Sequence, residues 1–183
     1  REIWTNFPSV VIGVHLREPP LNFVLNDHYD SAVHACRKLA EAGYRRIGIV
    51  LDRWLDNVLE GRYISGYFAA LGHSASALPP LFLEQPEGAG RASEGTRLSL
   101  REQFEKWLRA HRPDACICVN SYLLEWLRDF GMSVPEKMGF ALLDLPGEFK
   151  GEIAGMDPRS LETGMKTVDV LIAQIHRGEY GIP

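Results

Sequence analysis

Three polar side chains stand where apolar runs of the chain end. Asp52 follows IGIVL, Asn120 follows ACICV and Asp144 follows MGFALL. Carboxylate and amide groups of this kind can hydrogen-bond the hydroxyls of a small ligand. Structural roles are about equally open, because Asn120 could cap a helix that begins at Ser121, and Asp144 could be a turn residue in DLPG. We therefore ask which elements would bring these groups together.

The region 113–146 predicts a strand, a helix and a second strand. Its two apolar runs flank a helical pattern that Gly131 ends and Pro135 prevents from continuing. Parallel strands joined by a covering helix are buried on both faces, which explains why these runs are continuous rather than alternating. Ligands bind at the carboxyl ends of such strands, where Asn120 and Asp144 lie.

The same alternation extends along the rest of the chain. Apolar runs predict further strands at 9–15, 23–26, 47–51, 79–83 and 152–156. Helical spacing predicts four further helices. The first begins near Asp27 and ends near residue 42, two more cover 63–71 and 100–108, and the last places the apolar residues of 161–175 on one stripe. We expect DRWLDN, residues 52–57, to be a loop, and 84–95 to be a flexible stretch.

This order of elements predicts an α/β fold. Residues 45–144 supply four parallel strands of a doubly wound sheet. Residues 1–43 and 153–183 would form part of a second layer, and they are too few to close it. We therefore predict a complete lobe at 44–152 and a partial lobe built from the two flanking segments.

Composition excludes several classes of partner. The 183 residues carry a net charge of −4, and no Lys/Arg cluster is interleaved with aromatic residues, so we expect no direct binding to nucleic acid. No apolar run approaches membrane-spanning length. Three cysteines do not make a disulfide framework, which favours a reducing, cytoplasmic location.

Catalytic and metal-binding patterns are weak. Cys116 and Cys118 lie two apart on a buried strand without a histidine at ligand spacing, so core thiols are the better interpretation. The glycines of GAGRASEG fit neither the Rossmann nor the P-loop spacing. We expect no enzyme activity, no cofactor and no metal site.

Asp52 and Trp54 form a further candidate pair after the first strand of the predicted sheet. They would offer a ligand a carboxylate and an apolar platform, although Trp54 could instead only cover the core. Asp52 also stands where a phosphoacceptor would in a flavodoxin-like protein. No acidic pair follows the early strand VVIGVH to hold a magnesium ion, so that alternative ranks last.

Four segments in order resemble a known family: NDHYDSAVHACRKLAEAGYRRIGIV, RYISGYFAAL, PDACICVN and VPEKMGFALLD. They are similar to the effector-binding domain of LacI/GalR-type transcriptional regulators. That family has an Asp before a helix, an Arg-x-x-Gly-aromatic helix, and a Val-Pro-Glu turn before a strand ending in Asp. The resemblance covers essentially the whole chain. It implies a two-lobed, type I periplasmic-binding-protein-like fold with the ligand in the cleft between the lobes.

The resemblance also implies functional residues. It assigns Arg62 to the arginine of the Arg-x-x-Gly-aromatic motif, as a rigid fork of donors for hydroxyls or an anion. It assigns Asn120 and Asp144 to the pocket amide and the pocket carboxylate. With Asp52 and Trp54, these three residues make up the predicted ligand-binding set.

Two positions depart from the family pattern. The pocket Asn is often followed by Asp, where this chain has Ser121, and the terminal Asp is often paired, where this chain has Leu145. Two usual carboxylates are therefore absent, which weakens any specific assignment of a sugar and leaves a purine, a modified sugar or no ligand open. The resemblance further implies that the DNA-binding head and some strands of the family lie outside this chain.

Three classes of function follow. The first is the ligand-sensing and dimerisation domain of a LacI-type regulator, a homodimer that binds a small effector and meets operator DNA only through a head domain carried elsewhere. A solute-binding protein for transport shares the fold and is the alternative. A flavodoxin-like phosphoacceptor or enzyme is the third.

Overall fold

The computed structural model describes residues 4–13, 18–72, 77–84, 94–149 and 151–182. The chain divides into two compact units, one of residues 28–157 and one of residues 1–27 with 158–183. The end of the predicted strand 9–15 and most of the predicted flexible stretch 84–95 lie outside the described residues.

The larger unit is built on a five-stranded parallel sheet in the order β4-β3-β5-β6-β7. The chain passes from β3 to β4 on one side of β3, and then to β5, β6 and β7 on the other side. The sheet is therefore doubly wound, which confirms the predicted fold class. Its strands are β3 (Ile47–Asp52), β4 (Leu81–Leu83), β5 (Ala115–Cys118), β6 (Gly139–Leu142) and β7 (Ala154–Gly155).

Helices cover both faces of this sheet. They are α1 (His28–Glu41), α2 (Arg53–Val58), α3 (Arg62–Leu71), α4 (Glu94–His111) and α5 (Tyr122–Asp129). On one face, side chains of α4 and α5 pack with Cys116, Cys118, Phe140 and Leu142 in a single buried cluster. Because side chains alternate along a strand, the neighbouring residues of β5 and β6 face the other side, where α1 and α3 lie.

The contact between α1 and α3 is unusually close at Gly66. A Cβ added there would lie 2.2 Å from the backbone oxygen of Tyr29 and 3.0 Å from the Cβ of Ala32. Only glycine lets the two helix backbones approach so far. On the same helix, the buried hydroxyl of Tyr67 lies 2.9 Å from the carbonyl oxygen of Ile47, which fixes α3 to β3.

The smaller unit has two parallel strands and one long helix. Its strands are β1 (Val10–Ile12) and β2 (Asn22–Val24), and its helix is α6 (Ser160–Arg177). The hydroxyl of Thr163 on α6 lies 3.1 Å from Oδ1 of Asn26. With a 3-10 helix at Trp4–Asn6, these elements are the described helices and strands of the smaller unit.

Local structure differs from the sequence prediction in one loop. Residues 53–58 form the helix α2, where we predicted a loop over 52–57. Its six residues are too few to show a periodic pattern, and Leu59, which follows them, supplies the buried anchor. The helix begins directly at the carboxyl end of β3.

Two segments that we expected in the partial lobe lie in the larger unit, which begins at residue 28 and ends at residue 157. The buried face of α1 packs on α3. The strand β7 pairs with β6, and the backbone amide of Met156 donates to the carbonyl oxygen of Leu142 at 2.8 Å. These contacts extend the larger unit at both ends beyond residues 44–152.

Candidate functional site

Asp52 and Asn120 meet at the carboxyl edge of the sheet. The strands β3 and β5 are neighbours in parallel register, with Val50 opposite Cys118, so the residues two further along also lie side by side. The Nδ2 of Asn120 donates to Oδ2 of Asp52 at 2.8 Å, and both side chains are half-buried. The sequence therefore predicted two groups that the fold joins directly.

Capping does not account for this pair. Asp52 occupies the N-cap position of α2 and makes no side-chain hydrogen bond to the helix. The N-cap of α5 is Ser121 rather than Asn120. The amide NH2 of Asn120 is directed to the carboxylate, so its side-chain oxygen is turned away from Asp52.

Asp144 follows β6, the next strand of the sheet, and its side chain is exposed. Burial is the main cause that raises the pKa of Tyr63, a residue of α3, above its ordinary value. The negative charge of the Asp144 carboxylate raises this pKa further. Asp144 and Tyr63 therefore lie close enough to interact electrostatically. This places the third strand-end polar group, and the second carboxylate among them, beside an aromatic residue of α3.

Tyr63 and His28 form an aromatic contact that we did not predict. Their ring centroids are 4.9 Å apart, and Tyr63 is buried. His28 is the first residue of α1, so this contact joins α1 and α3 on the side where Asp144 acts on Tyr63. The sequence alone could not predict this ring contact, because it depends on how α1 packs against α3.

Arg62 lies at the exposed start of α3, where its guanidinium is 3.8 Å from a carboxylate oxygen of Glu60. The structure does not show it joined to the Asp52–Asn120 pair. The sequence itself carries a signal for this outcome, because three residues separate Arg62 from Gly66, one more than the Arg-x-x-Gly motif has. The motif's arginine position corresponds to Tyr63, so the assignment of Arg62 by resemblance is shifted by one residue.

Trp54 stands in the first turn of α2 with 44% of its surface exposed. The position is two residues after Asp52, at the same edge of the sheet. Exposure of this size leaves part of the ring accessible, so the predicted role of Trp54 as a platform for a ligand stays a prediction.

The charge at this edge is predominantly negative. Asp52 and Asp144 contribute carboxylates, and the neighbouring Arg53 is already engaged, with its Nε 3.2 Å from Glu84 and its guanidinium 3.7 Å above the ring of Phe82. The exposed Arg62 pairs with Glu60. Both arginines nearest the edge thus have carboxylate partners within the larger unit.

All three cysteines of the chain are buried. Burial raises the pKa of the Cys36 thiol to about 12, and burial also raises the pKa of Cys118, with smaller contributions from Cys116 and Asp52. These thiols stay protonated at neutral pH and are core residues, as the third cysteine is. No group of metal-binding side chains occurs among the described residues, and none of the described helices could span a membrane.

Comparison with protein families shows to which family the chain belongs. Residues 36–181 match the family model of the periplasmic binding protein-like domain. The chain belongs to this family. The match covers both the sheet of the larger unit and α6, and it confirms the resemblance at the level of the fold. A search of the curated proteins gave no match to this periplasmic-binding-protein-like domain.

Solved structures with the same fold include LacI-family regulators. The LacI family transcriptional regulator from Enterococcus faecium with bound ribose is 18% identical, with a TM-score of 0.68 over 94% of this chain and 63% of that one. The transcriptional repressor ascG of Escherichia coli is 19% identical, with a TM-score of 0.67 over 96% and 64%. The transcription regulator CcpA of Lactococcus lactis is 16% identical, with a TM-score of 0.68 over 93% and 62%. The periplasmic-binding-protein-like domain thus spans less than two thirds of each of these chains.

Proposed function

We propose that this periplasmic-binding-protein-like domain is the ligand-sensing part of a LacI-type transcriptional regulator. The observation that carries the proposal is the hydrogen-bonded pair of Asp52 and Asn120 at the carboxyl ends of neighbouring parallel strands. Ligands of doubly wound sheets bind at this edge. A carboxylate that holds an amide in one orientation prepares both groups to bind a ligand without further ordering.

The effector is an uncharged polyhydroxyl compound, with a sugar as the first choice. Asp52 and Asp144 accept hydrogen bonds from hydroxyls, and the exposed face of Trp54 suits the apolar face of a sugar ring. A phosphorylated sugar would bring a dianion to the carboxylates of Asp52 and Asp144, which repel it. The Enterococcus faecium regulator of the same fold was solved with ribose, which makes D-ribose a suitable first probe.

A ligand screen followed by calorimetry tests this proposal. The purified chain is heated with D-ribose, other pentoses and hexoses, ribose 5-phosphate and purines, and each compound that raises the melting temperature is titrated by calorimetry. We expect an unphosphorylated sugar to bind and its phosphate ester to bind at least tenfold more weakly. Tighter binding of the phosphate ester would contradict the proposed ligand class.

Matched variants then locate the site. Asn120→Ala should weaken binding of the sugar by roughly tenfold or more, because the ligand loses one hydrogen-bonding group and Asp52 loses the amide that orients its carboxylate. Asp129→Asn is the control, since Asp129 ends α5, a helix that runs back from the carboxyl edge, and pairs with Arg101. Equal effects of both variants would place the ligand elsewhere.

The regulator would be a cytoplasmic homodimer that meets operator DNA through a head domain outside this chain. This part of the proposal rests on the LacI-family neighbours, of which each is longer than this chain. A solute-binding protein for transport is the second candidate, because the matched family is described by periplasmic binding proteins. The coding sequence upstream of Arg1 distinguishes them: a helix-turn-helix supports the regulator, and a signal peptide supports transport.

A further inference from the structure

The hydroxyl of Tyr63 has no hydrogen-bond partner among the described residues. Tyr63 lies in the first turn of α3 with 4% of its surface exposed, and it interacts there with the ring of His28 and the charge of Asp144. A tyrosine buried to this degree normally places its hydroxyl against a partner. The Tyr63 hydroxyl therefore needs a partner from outside the fold, such as water or a ligand.

Tyr67, one turn further along α3, shows the usual arrangement. Its buried hydroxyl lies 2.9 Å from the carbonyl oxygen of Ile47 and 2.8 Å from that of Leu78. Ile47 is the first residue of β3, so Tyr67 is tied to the amino end of the sheet. One helix thus carries a tyrosine whose hydroxyl serves the fold and another whose hydroxyl does not.

The Tyr63 hydroxyl can be reached from outside the core. Among the described residues, the polar side-chain atoms that are both unpaired and fully enclosed belong to Asp56, Arg101 and Gln174, and the Tyr63 oxygen is not one of them. This oxygen therefore keeps some accessible surface, which an atom of a ligand can contact.

Asp144 supplies a hydrogen-bond acceptor beside this donor. It follows β6, which pairs with β5, so its carboxylate belongs to the same edge of the sheet as Asn120. Burial and, to a smaller extent, the charge of Asp144 raise the pKa of Tyr63, so the phenol stays a proton donor at neutral pH. An ionised carboxylate only accepts. A donor and an acceptor therefore stand together at this edge.

An alcohol hydroxyl satisfies both groups at once. Its oxygen accepts from the phenol while its proton is donated to the carboxylate. An ether oxygen has no proton for Asp144, and a deoxy position offers neither bond. A carboxylate or phosphate on the ligand would be repelled by Asp144, and Tyr63 puts a neutral group where the Arg-x-x-Gly motif has a cation.

We propose that Tyr63 and Asp144 together bind one hydroxyl group of the effector, which makes Tyr63 a specificity-determining residue of the site. The phenol donates to the oxygen of this hydroxyl, and the hydroxyl donates to Asp144. The site thereby selects a compound with an alcohol at this position over its deoxy, etherified or acidic analogue. This inference rests on the effector site of the proposed function and specifies the group that the site recognises.

Urea unfolding of the free chain tests whether the fold uses the hydroxyl. Tyr63→Phe removes only this group and should leave the urea midpoint unchanged to within about 0.2 M, because no hydrogen bond within the chain is lost. Tyr67→Phe is the matched control on the same helix and should lower the midpoint by roughly 0.5–1 M. Equal losses in the two variants would overturn the proposal.

Calorimetric titration tests the contact with the ligand. The probes are D-ribose, or the sugar that the screen selects in its place, and each of its monodeoxy derivatives. Tyr63→Phe should weaken binding of the sugar roughly fivefold. Tyr67→Phe should leave the affinity unchanged, because its hydroxyl lies at the amino end of β3.

The deoxy derivatives identify the hydroxyl that is bound. One of them should bind the unmodified chain at least tenfold more weakly than the sugar itself, because both Tyr63 and Asp144 lose their partner. This penalty should be smaller on Tyr63→Phe, where one of the two hydrogen bonds is already absent. An equal penalty on both chains would overturn the proposal.

The binding results separate this inference from the proposed function. Sugar binding that Asn120→Ala weakens and Tyr63→Phe does not would keep the effector site and overturn the role of Tyr63. The reverse pattern would support the role of Tyr63 and contradict a site built on the Asp52–Asn120 pair. If no sugar binds, the effector class fails, and the contact of Tyr63 with a sugar hydroxyl fails with it.

Discussion

Gly66 offers the sharpest test of how α1 and α3 are packed. Replacing it with alanine puts a Cβ 2.2 Å from the backbone oxygen of Tyr29, about 1 Å closer than such contacts allow, and only 3.0 Å from the Cβ of Ala32. The obstruction is mainly backbone rather than the end of a flexible side chain. The two helices must therefore move apart along their whole contact.

The cost follows from two opposing effects. Overpacking costs about 3 kcal/mol when the neighbour cannot rotate away, near the top of the usual range. Alanine recovers about 1 kcal/mol through its better helix propensity. The net loss of unfolding free energy is about 2 kcal/mol, which lowers the urea midpoint by roughly 1 M for a slope of about 2 kcal/mol per M.

Urea unfolding followed by tryptophan fluorescence measures this loss, because Trp107 and Trp126 are buried in the larger unit. Gly95→Ala is the matched control, since a Cβ at Gly95 meets nothing within 4 Å and the residue is also helical. The control should be unchanged or slightly more stable. If Gly66→Ala is as stable as the control, the close approach of α1 and α3 is refuted.

Two further substitutions probe buried polar groups of the larger unit. Tyr67→Phe should cost about 1–2 kcal/mol in urea unfolding, because the buried hydroxyl lies 2.9 Å from the carbonyl oxygen of Ile47 and 2.8 Å from that of Leu78; an unchanged midpoint would contradict this. Burial raises the pKa of Asp56, against a smaller lowering by Arg53, and its buried Oδ1 has no hydrogen-bond partner in the described residues. A carboxyl whose pKa is raised by folding destabilises the fold once it ionises, so Asp56→Asn should unfold at higher urea than the unmodified chain at pH 7, with the gain disappearing below about pH 4. A gain that is the same at both pH values would show that ionisation of Asp56 is not the cause.

Strand positions could be predicted well from the sequence, because β3, β5 and β6 are buried on both faces and therefore appear as continuous apolar runs. The pairing of Asp52 with Asn120 follows from the same logic, since both residues end neighbouring strands. Short elements carry no such signal. The helix α2 has six residues and β7 has two, so neither shows a period from which its place could be read.

Helix faces were harder to predict than strand ends. Arg62 and Tyr63 are adjacent, and a difference of one residue decides which side chain is buried and which is exposed. The spacing to Gly66 carries the signal that resolves the choice, because the arginine position of the Arg-x-x-Gly motif falls on Tyr63. His28 has no sequence signal at all, because its ring contact with Tyr63 depends on the packing of two helices.

Mapping the bound effector by NMR tests the central claim most directly. The sugar selected by the screen is added to the nitrogen-15-labelled chain, and the shifts of backbone amides and of the Asn120 side-chain amide are followed. The largest changes should fall on Asp52, Asn120 and Asp144, with little change at the surface between α1 and β7. At a sugar concentration near the dissociation constant of the unmodified chain, Asn120→Ala should strongly reduce the changes at Asp52 and Asp144. Changes centred on the surface between α1 and β7, or changes at Asp52 and Asp144 that Asn120→Ala leaves undiminished, would contradict an effector site built on the Asp52–Asn120 pair.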